Sequence, residues 1–306
     1  MSIKTGRAEG TADVRIDYEK CTVCGLCVEV CKGAPLVMQN GKVIVDQPRF
    51  FGCIGCGHCM AVCPRDCIAV EGRELSPDDI LEMPAGASRA SYDQLKALML
   101  GRRSIRNFKD REVGRDSIDM IIDAASTAPM GIPPSDVEIL VLHGREKVRE
   151  FAHDMVELMR RSRWMLSPAM CFLMRPFIGR EAYESMKTFV LPVINIIVKE
   201  HEKGSDYLLY DAPLAMYFHT SPYSDPVDPI IPATYAMLAA ESLGMGSCMI
   251  GTIAPFLKYS KKLREKYGIP PKNRQGIMVI FGYQAIKFHK AIRRSFAGVY
   301  FLKCPE

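Results

Sequence analysis

The chain has no long hydrophobic run. Its longest apolar stretch, Thr188 to Val198, is broken by Pro192 and Asn195. That falls short of the roughly 20 residues needed to cross a bilayer, so no membrane span is expected. A secretory leader is also missing, because MSIKTGRAEGTADVRID has no basic head followed by an apolar core. A cytoplasmic protein with reduced thiols is therefore expected. There is no dense run of Lys and Arg. The net charge is only +5, and residues 1–80 carry 9 basic against 11 acidic side chains. Without a basic patch interleaved with aromatics, nothing points to nucleic acid as a partner.

Cysteine, in contrast, is plentiful and unevenly placed. Of 12 cysteines, eight fall between Cys21 and Cys63 and a ninth is Cys67, while Cys171, Cys248 and Cys304 are scattered. In a reducing compartment such a cluster reads as metal ligands rather than disulfides. The segment CTVCGLCVEVCKGAPL (21–36) repeats as CIGCGHCMAVCPRDCI (53–68) at an offset of 32 residues. Each CxxCxxCxxxC run offers three thiolates on a tight loop to one four-iron cubane and sends its fourth cysteine to the other.

Two [4Fe–4S] clusters follow, with crossed ligand sets. One takes Cys21, Cys24, Cys27 and Cys63, and the other takes Cys53, Cys56, Cys59 and Cys31. Gly25 and Gly57 suit loops that curl closely around an inorganic core and aim N–H groups at sulfur. Pro64 closes the second copy, where the first has Lys32 instead of proline. The competing assignment is a pair of zinc sites. Two complete runs of four, rather than two CxxC pairs, argue for the clusters. Cys67 reads as buried filler and His58 as a solvated loop residue. Lys42–Val45 and Ile68–Val70 read as small hairpin strands. A module this short buries little apolar surface, so the clusters must serve as its centre. The stretch resembles bacterial-type two-cluster ferredoxins over about residues 13–72, and the resemblance implies low-potential one-electron transfer.

Residues 73–90 read as a polar linker with a helical turn at Ser76–Asp79, and they separate a first domain, 1–72, from a second, 91–306. In the second, helical spacing appears at Leu95, Leu98 and Met99 and again at Ile118, Ile121, Ile122 and Ala125, with Pro129 as a stop. Short strands are expected at Val137–Leu142, Leu214–Thr220 and Ile277–Tyr283. They lie between helices near 144–160, 179–202, 229–243 and 254–267, an alternation that indicates a helix-flanked sheet. The methionines at 155, 159, 165, 170 and 174 read as core. The Trp164–Ile178 segment is placed either along a substrate pocket or against a second copy.

After the first helix of this domain comes Arg102-Arg103-Ser104-Ile105-Arg106-Asn107-Phe108, three arginines and a hydroxyl in a loop, which suits a phosphate. RRSIRNF resembles the opening signature of the FMN-dependent nitroreductase family. Ala128-Pro129-Met130-Gly131 resembles that family's flavin-lining loop. Residues 239–251, AAESLGMGSCMIG, resemble its helix and following loop, and Gly282-Tyr283 with Arg293-Arg294 resembles its closing strand and returning basic residues. The resemblance spans roughly 91–302.

It implies an α+β protein in which a small two-cluster ferredoxin-like module precedes a nitroreductase-like, helix-flanked mixed sheet. By the same resemblance, Arg102, Ser104, Arg293 and Arg294 hold the FMN phosphate, and Arg103 and Arg106 contact the ribityl chain or pyrimidine end. Pro129, Met130 and Gly131 line the ring, Met249, Ile250 and Gly251 face it, and a backbone N–H near Gly251 donates to its N5. The family's usual Asn and Gln-Pro-Trp after the AP loop are replaced here by Ile132-Pro133-Pro134-Ser135, so the amide contact must come from elsewhere. The glycine spacing at 244–251 is not a dinucleotide fingerprint, since it follows a helix rather than a strand. Cys248 reads as a buried, inert thiol.

The resemblance further implies a homodimer with FMN at the subunit interface, which the apolar tail Phe296–Leu302 would wrap. The expected function is electron flow from an external low-potential donor, a ferredoxin or a reductase, through the clusters to FMN and a small acceptor. That acceptor would be a nitroaromatic, quinone or activated alkene. Two other readings stay open. One is an electron carrier or redox sensor serving a partner protein, and the other an NAD(P)H-driven enzyme that uses the clusters as an exit.

Overall fold

In the computed structural model the described residues are 4–31, 35–164 and 167–302. The first module begins with β1 (Asp13–Ile16), the short helix α1 (Leu26–Val30), and the hairpin β2 (Leu36–Gln39) and β3 (Lys42–Val45). It ends with α2 (His58–Ala61) and β4 (Ile68–Glu71). Lys42–Val45 forms a hairpin as expected, pairing antiparallel with β2. Ile68–Glu71 instead pairs with the distant β1, from Asp13↔Glu71 to Ile16↔Ile68. That non-local pairing closes the module at its two ends. Its core holds few aliphatics, chiefly Val14, Leu36, Val43, Met60 and Val70, with the Cys27, Cys59 and Cys67 side chains among them. Lys32 lies outside the described residues.

The linker opens on a 3-10 turn at Pro77–Asp79, where the Ser76 and Asp79 side chains form a reciprocal cap. Arg73 and Leu75, at its start, pack against the cysteine module. Then come α3 (Tyr92–Gly101), α4 (Arg115–Ser126), β5 (Val137–His143), α5 (Arg145–Ser162), α6 (Pro168–Ile178), α7 (Arg180–Ser185) and α8 (Leu191–Glu202). A π-turn at Met186–Val190 joins α7 to α8. The chain finishes with β6 (Leu214–Thr220), α9 (Ile230–Ser242), β7 (Gly246–Ile250), α10 (Ile253–Leu257), α11 (Lys261–Lys266) and β8 (Gln275–Gly282).

The four strands β5 to β8 form one sheet in the order β5-β6-β8-β7, and every neighbouring pair is antiparallel. The parallel component is confined to a bridge between Ser104 and Ser247. Because strand side chains alternate in direction, each strand feeds two cores. Ala215, Tyr217, Cys248, Met278 and Ile280 face α5, α8 and α10. Leu214, Met216, Phe218, Val279 and Phe281 face α4 and α9. Burial on both faces explains why β6 has no exposed residue. Met155 and Met159 are core residues, and Met170 is half-buried. Met165 and the Met174 side chain fall outside the described residues.

The sequence reading treated 244–251 as a loop, but Gly246–Ile250 is the edge strand β7. Gly246 makes the strand possible. Ile105 packs so closely against it that a Cβ there would collide with the Ile105 side chain, leaving only glycine to fit beneath the crossing segment.

Candidate functional site

The cysteine loops are shaped by left-handed backbone. Gly25 has φ 80° and Gly57 φ 74°, each just ahead of a short helix carrying the third cysteine of its run. A side chain would strain both turns. Cys21, Cys24, Cys27 and Cys63 line one shared cavity together with Cys67. In the second loop, Cys53 and Cys59 lie close enough to Cys31 and Cys56 to feel their charge. Burial, reinforced by those sulfurs, pushes the Cys59 thiol up to about 12. Burial also raises Cys27 and Cys53. Thiols held in this way become thiolates only against a strongly cationic core, and that fits an iron–sulfur cage.

A lone tetrahedral zinc would need sulfurs about 3.8 Å apart, from Zn–S bonds of about 2.3 Å. Among the described residues no three His, Cys, Asp or Glu side chains converge in that way. Cys67 is buried, with its Sγ 3.4 Å from that of Cys63. Burial and that neighbour push its thiol up to about 12. His58 is exposed.

The cysteine module is fastened to the sheet domain by named bonds. Arg73, nearly buried, donates from Nε to the Ile54 carbonyl at 3.0 Å, from Nη1 to Gly10 at 2.8 Å, and from Nη2 to Pro133 at 2.8 Å. The Gly6 amide donates to Asp136 Oδ2 at 2.7 Å, and the Ser221 hydroxyl donates to the same oxygen at 2.9 Å. Beside this joint lies a cavity of about 690 Å³. Gly55 and Cys56 line it from one module, and Ile122, Ala125, Pro129, Met130 and Ser135 from the other.

The arginine loop lies at the other edge of the sheet. Ile105 N donates to the Ser247 carbonyl at 3.0 Å, which lays Ser104 and Arg106 along β7. A second cavity, about 280 Å³, is lined by Arg106, Phe189, Val193, Ile196, Tyr207, Tyr210, Met249, Ile250 and Gly251. The Arg106 guanidinium sits 5.7 Å from the Tyr210 ring centroid. Ser104 and Arg102 reach the neighbourhood of Cys248, whose thiol is raised mainly by burial. Cys248 is 1% exposed, with its Sγ 3.6 Å from the Met249 carbonyl oxygen and hydrogen-bonded by Ser104, and it packs as a small buried side chain.

Two buried polar atoms at this edge, Ser247 Oγ and Arg103 Nε, have no hydrogen-bond partner among the described residues. Unsatisfied donors beside an arginine loop fit a phosphate-bearing ligand. Glu241, on α9, is the acidic neighbour of Arg102 and Arg103; burial raises its carboxyl and those arginines partly offset the rise.

Arg102, Ser104, Arg106, Met249, Ile250 and Gly251 are thus brought to one edge, with Arg103 turned onto the Leu100 and Arg102 carbonyls. Pro129, Met130 and Gly131 are not among them; Pro129 and Met130 line the other cavity. Arg293 and Arg294 do not join the loop either. They lie in an extended exposed tail that touches the loop through Ala285 N to the Asn107 carbonyl at 2.9 Å and through the Lys290 carbonyl, 3.4 Å from Arg103 Nη2. The Trp164–Ile178 segment borders neither cavity, and Trp164, Phe172, Leu173 and Phe177 are exposed. Tyr207, Tyr210 and Phe189 were not identified from sequence. The signal at Tyr207 and Tyr210 was aromatic character in a stretch without periodicity, and Phe189 lay within the apolar run of an expected helix.

A single sheet covered by helices on both faces, joined to paired thiol loops, suits an oxidoreductase of the FMN-dependent type linked to an iron–sulfur module. Residues 99–283, more than half of the chain, match the Nitroreductase family, and the chain belongs to it. Residues 17–68 match the 4Fe-4S dicluster domain.

Among solved structures, a nitroreductase with bound FMN from Bacteroides fragilis NCTC 9343 is 17% identical, covering 68% of this chain and 98% of its own with a TM-score of 0.49. An FMN-dependent nitroreductase from Clostridium difficile R20291 is 23% identical over 67% of this chain and 96% of its own, with a TM-score of 0.43. Among curated relatives, a ferredoxin-like protein in the vnf region of Azotobacter chroococcum mcd 1 is 41% identical over 53 residues, 17% of this chain and 82% of its own. The first curated relatives are much longer. This chain spans 11% of the probable oxidoreductase YjgC of Bacillus subtilis and 9% of the indolepyruvate oxidoreductase subunit IorA of Methanothermobacter marburgensis. Among the described residues no helix is long and apolar enough to cross a membrane.

Proposed function

We propose that this protein passes electrons from an external low-potential donor, through two [4Fe–4S] clusters, to FMN and on to a small organic acceptor. When bound, the clusters supply electrons singly and FMN collects them in pairs for the acceptor. Cys21, Cys24, Cys27 and Cys63 hold one cluster, and Cys53, Cys56, Cys59 and Cys31 the other. Arg102 and Ser104 grip the FMN phosphate with the Ser247 hydroxyl beside them. Arg106 stands at the ring edge and Met249–Gly251 on its face. Arg293 and Arg294 reach the phosphate from the tail of a second copy in a homodimer.

The observation that carries this reading is the shared cavity in which Cys56 faces Pro129 and Met130. Cys56, proposed here as a cluster ligand, and the loop proposed to line the flavin share that cavity beside a joint fixed by Arg73.

The open cleft lined by Phe189, Val193, Ile196 and Tyr207 beside Arg106 supports an enzyme with a small acceptor over a pure carrier, since apolar walls with one convergent polar group suit a small molecule. Nitroaromatics, quinones and activated alkenes suit its aromatic walls. Arg106 would favour the acceptor carrying partial negative charge. No side chain at this edge is positioned as a strong acid, so water supplies the protons.

The test is an anaerobic preparation analysed for iron, acid-labile sulfide and flavin. About eight irons per chain with bound FMN is expected for two four-iron sites. About four irons, or a fully iron-loaded protein that retains no FMN, would overturn the reading.

A further inference from the structure

The two cysteine runs repeat at an offset of 32 residues, and the repeat extends through the strands that follow them, so that β2 (Leu36–Gln39) corresponds to β4 (Ile68–Glu71). At the next turn the copies diverge. The first has Gly41, with φ 73°, and the second has Arg73 at the same position, with φ 53°. Left-handed backbone is open to glycine without cost and is rarely taken by a residue with a side chain. A residue kept there against that preference points to a use for its side chain.

The Arg73 side chain runs into the second cysteine loop. Its Cβ lies 3.3 Å from where a Cβ on Gly55 would stand, and the residue is 7% exposed. Its Nε donates to the Ile54 carbonyl at 3.0 Å. At the other end of the same peptide unit, the Gly55 amide donates to the Cys53 sulfur. Arg73, the Ile54–Gly55 peptide and Cys53 Sγ thus form one chain of hydrogen bonds with a cation at its head, an arrangement in which each bond polarises the next. Burial raises the Cys53 thiol, and the Gly55 bond and the Arg73 charge both oppose that rise.

In the first copy Gly41 supplies no such group. Charged side chains beside that site, Arg65 lining its cavity and Asp66 near Cys63, are exposed and opposite in sign. Water and salt screen what they add.

We propose that Arg73 holds the reduction potential of the inner cluster, assigned to Cys31, Cys53, Cys56 and Cys59, above that of the outer cluster, assigned to Cys21, Cys24, Cys27 and Cys63. This rests on the cofactor reading above and adds an order to its two clusters. The inner site is the one whose Cys56 shares a cavity with Pro129 and Met130. Reduction adds one negative charge to a cluster, so a buried cation and a polarised N–H bond to a ligand sulfur both favour the reduced form. Arg73 acts through Cys53 and is a positioning residue. An electron delivered by the external donor therefore settles next to the flavin-lining loop. The outer cluster loses one electron, the inner one gains it, the donor replaces it, and no proton or bond changes hands.

A redox titration of the full-length holoprotein, followed by the EPR signals of the reduced clusters, compares wild type with Arg73→Met and Arg73→Lys. Wild type should show two distinct cluster midpoints. In Arg73→Met the higher midpoint should fall and the lower one stay in place. Arg73→Lys keeps the charge and loses the forked bonding, and it should recover most of the difference. Equal midpoints in wild type, a fall of the lower midpoint in Arg73→Met, or no change in either would overturn the proposal. So would a fall in Arg73→Lys as large as that in Arg73→Met, because loosened packing would then be the cause. Arg73→Gln, neutral but still a donor, takes the place of Arg73→Met if that variant does not load its iron, with the same outcomes expected. A wild-type chain with only about four irons would sink the cofactor reading itself, a result read from the iron analysis before any titration.

Discussion

The Nη2 group of Arg73 donates to the Pro133 carbonyl oxygen at 2.8 Å, and through this bond the second cysteine loop is held against the segment that enters β5. The same guanidinium satisfies the Ile54 and Gly10 carbonyls. Arg73→Met keeps the apolar stem and orphans three acceptors. At about 1 kcal/mol for each lost bond the expected destabilisation is roughly 2–4 kcal/mol. Proteolysis between 76 and 90 should accelerate as the joint loosens. A variant within about 0.5 kcal/mol of wild type by urea unfolding would mean that Arg73 does not fasten the modules.

Gly246→Ala forces a methyl group into the Ile105 side chain. The Ser104–Ser247 bridge must open or β7 must shift, at a cost of about 1–3 kcal/mol, and FMN retention should fall with it. Gly251→Ala meets nothing within 4 Å, so its melting temperature should match wild type. Equal melting temperatures for both variants would contradict the close approach.

Acid should weaken the fold in two separable windows. His219 is buried beside Asn273, and burial lowers its pKa. The unfolded chain therefore takes up a proton that the folded one refuses, and stability falls as pH drops below about 6.5. Burial pushes the Asp154 carboxyl up, but hydrogen bonds from Lys266 and from Tyr267 Oη, 2.6 Å away, hold it below the usual range. Its contribution is full above about pH 3.9 and lost below that, as the folded form protonates. Asp154→Asn should remove the lower window and leave the upper one, read as the difference in urea stability between variant and wild type from pH 7 to 3. Loss of the upper window in this variant would contradict the assignment.

Iron removal should unfold one module and spare the other. The core around Val14, Leu36 and Val70 is completed by cysteine side chains, whereas the sheet has two apolar cores of its own. After chelation, amide exchange should quicken in β1–β4 while β6 and β8 stay protected. Cys67→Ala should keep the full iron content and Cys63→Ala should not. Equal loss in both would make Cys67 a ligand.

What could be read from the sequence followed how local each determinant is. The proposed cluster ligands stand out through spacing, because three cysteines of each run sit on one loop. The strand Leu214–Thr220 was legible to the residue, since burial on both faces leaves a continuous apolar run. The strand β7 was hidden by small residues, Gly246-Ser247-Cys248, and becomes a strand only through its pairing with β8. The strand β1 was missed for a similar reason: four residues, two of them charged, acquire strand geometry from a distant partner, as at Arg15↔Ala69 and nearby pairs. The residues proposed to contact flavin stand in recognisable motifs, but their order along the chain carries no information about which sheet edge receives them. Tyr207 and Tyr210 entered the candidate site through the fold alone.

The direction of electron flow is the central claim, and anaerobic stopped-flow spectroscopy tests it most directly. Mixed with reduced methyl viologen, the protein should lose cluster absorbance first and flavin absorbance next, while NADH or NADPH leaves both unbleached on that timescale. Rapid bleaching of the flavin by NADH or NADPH, with the clusters following, would contradict the account.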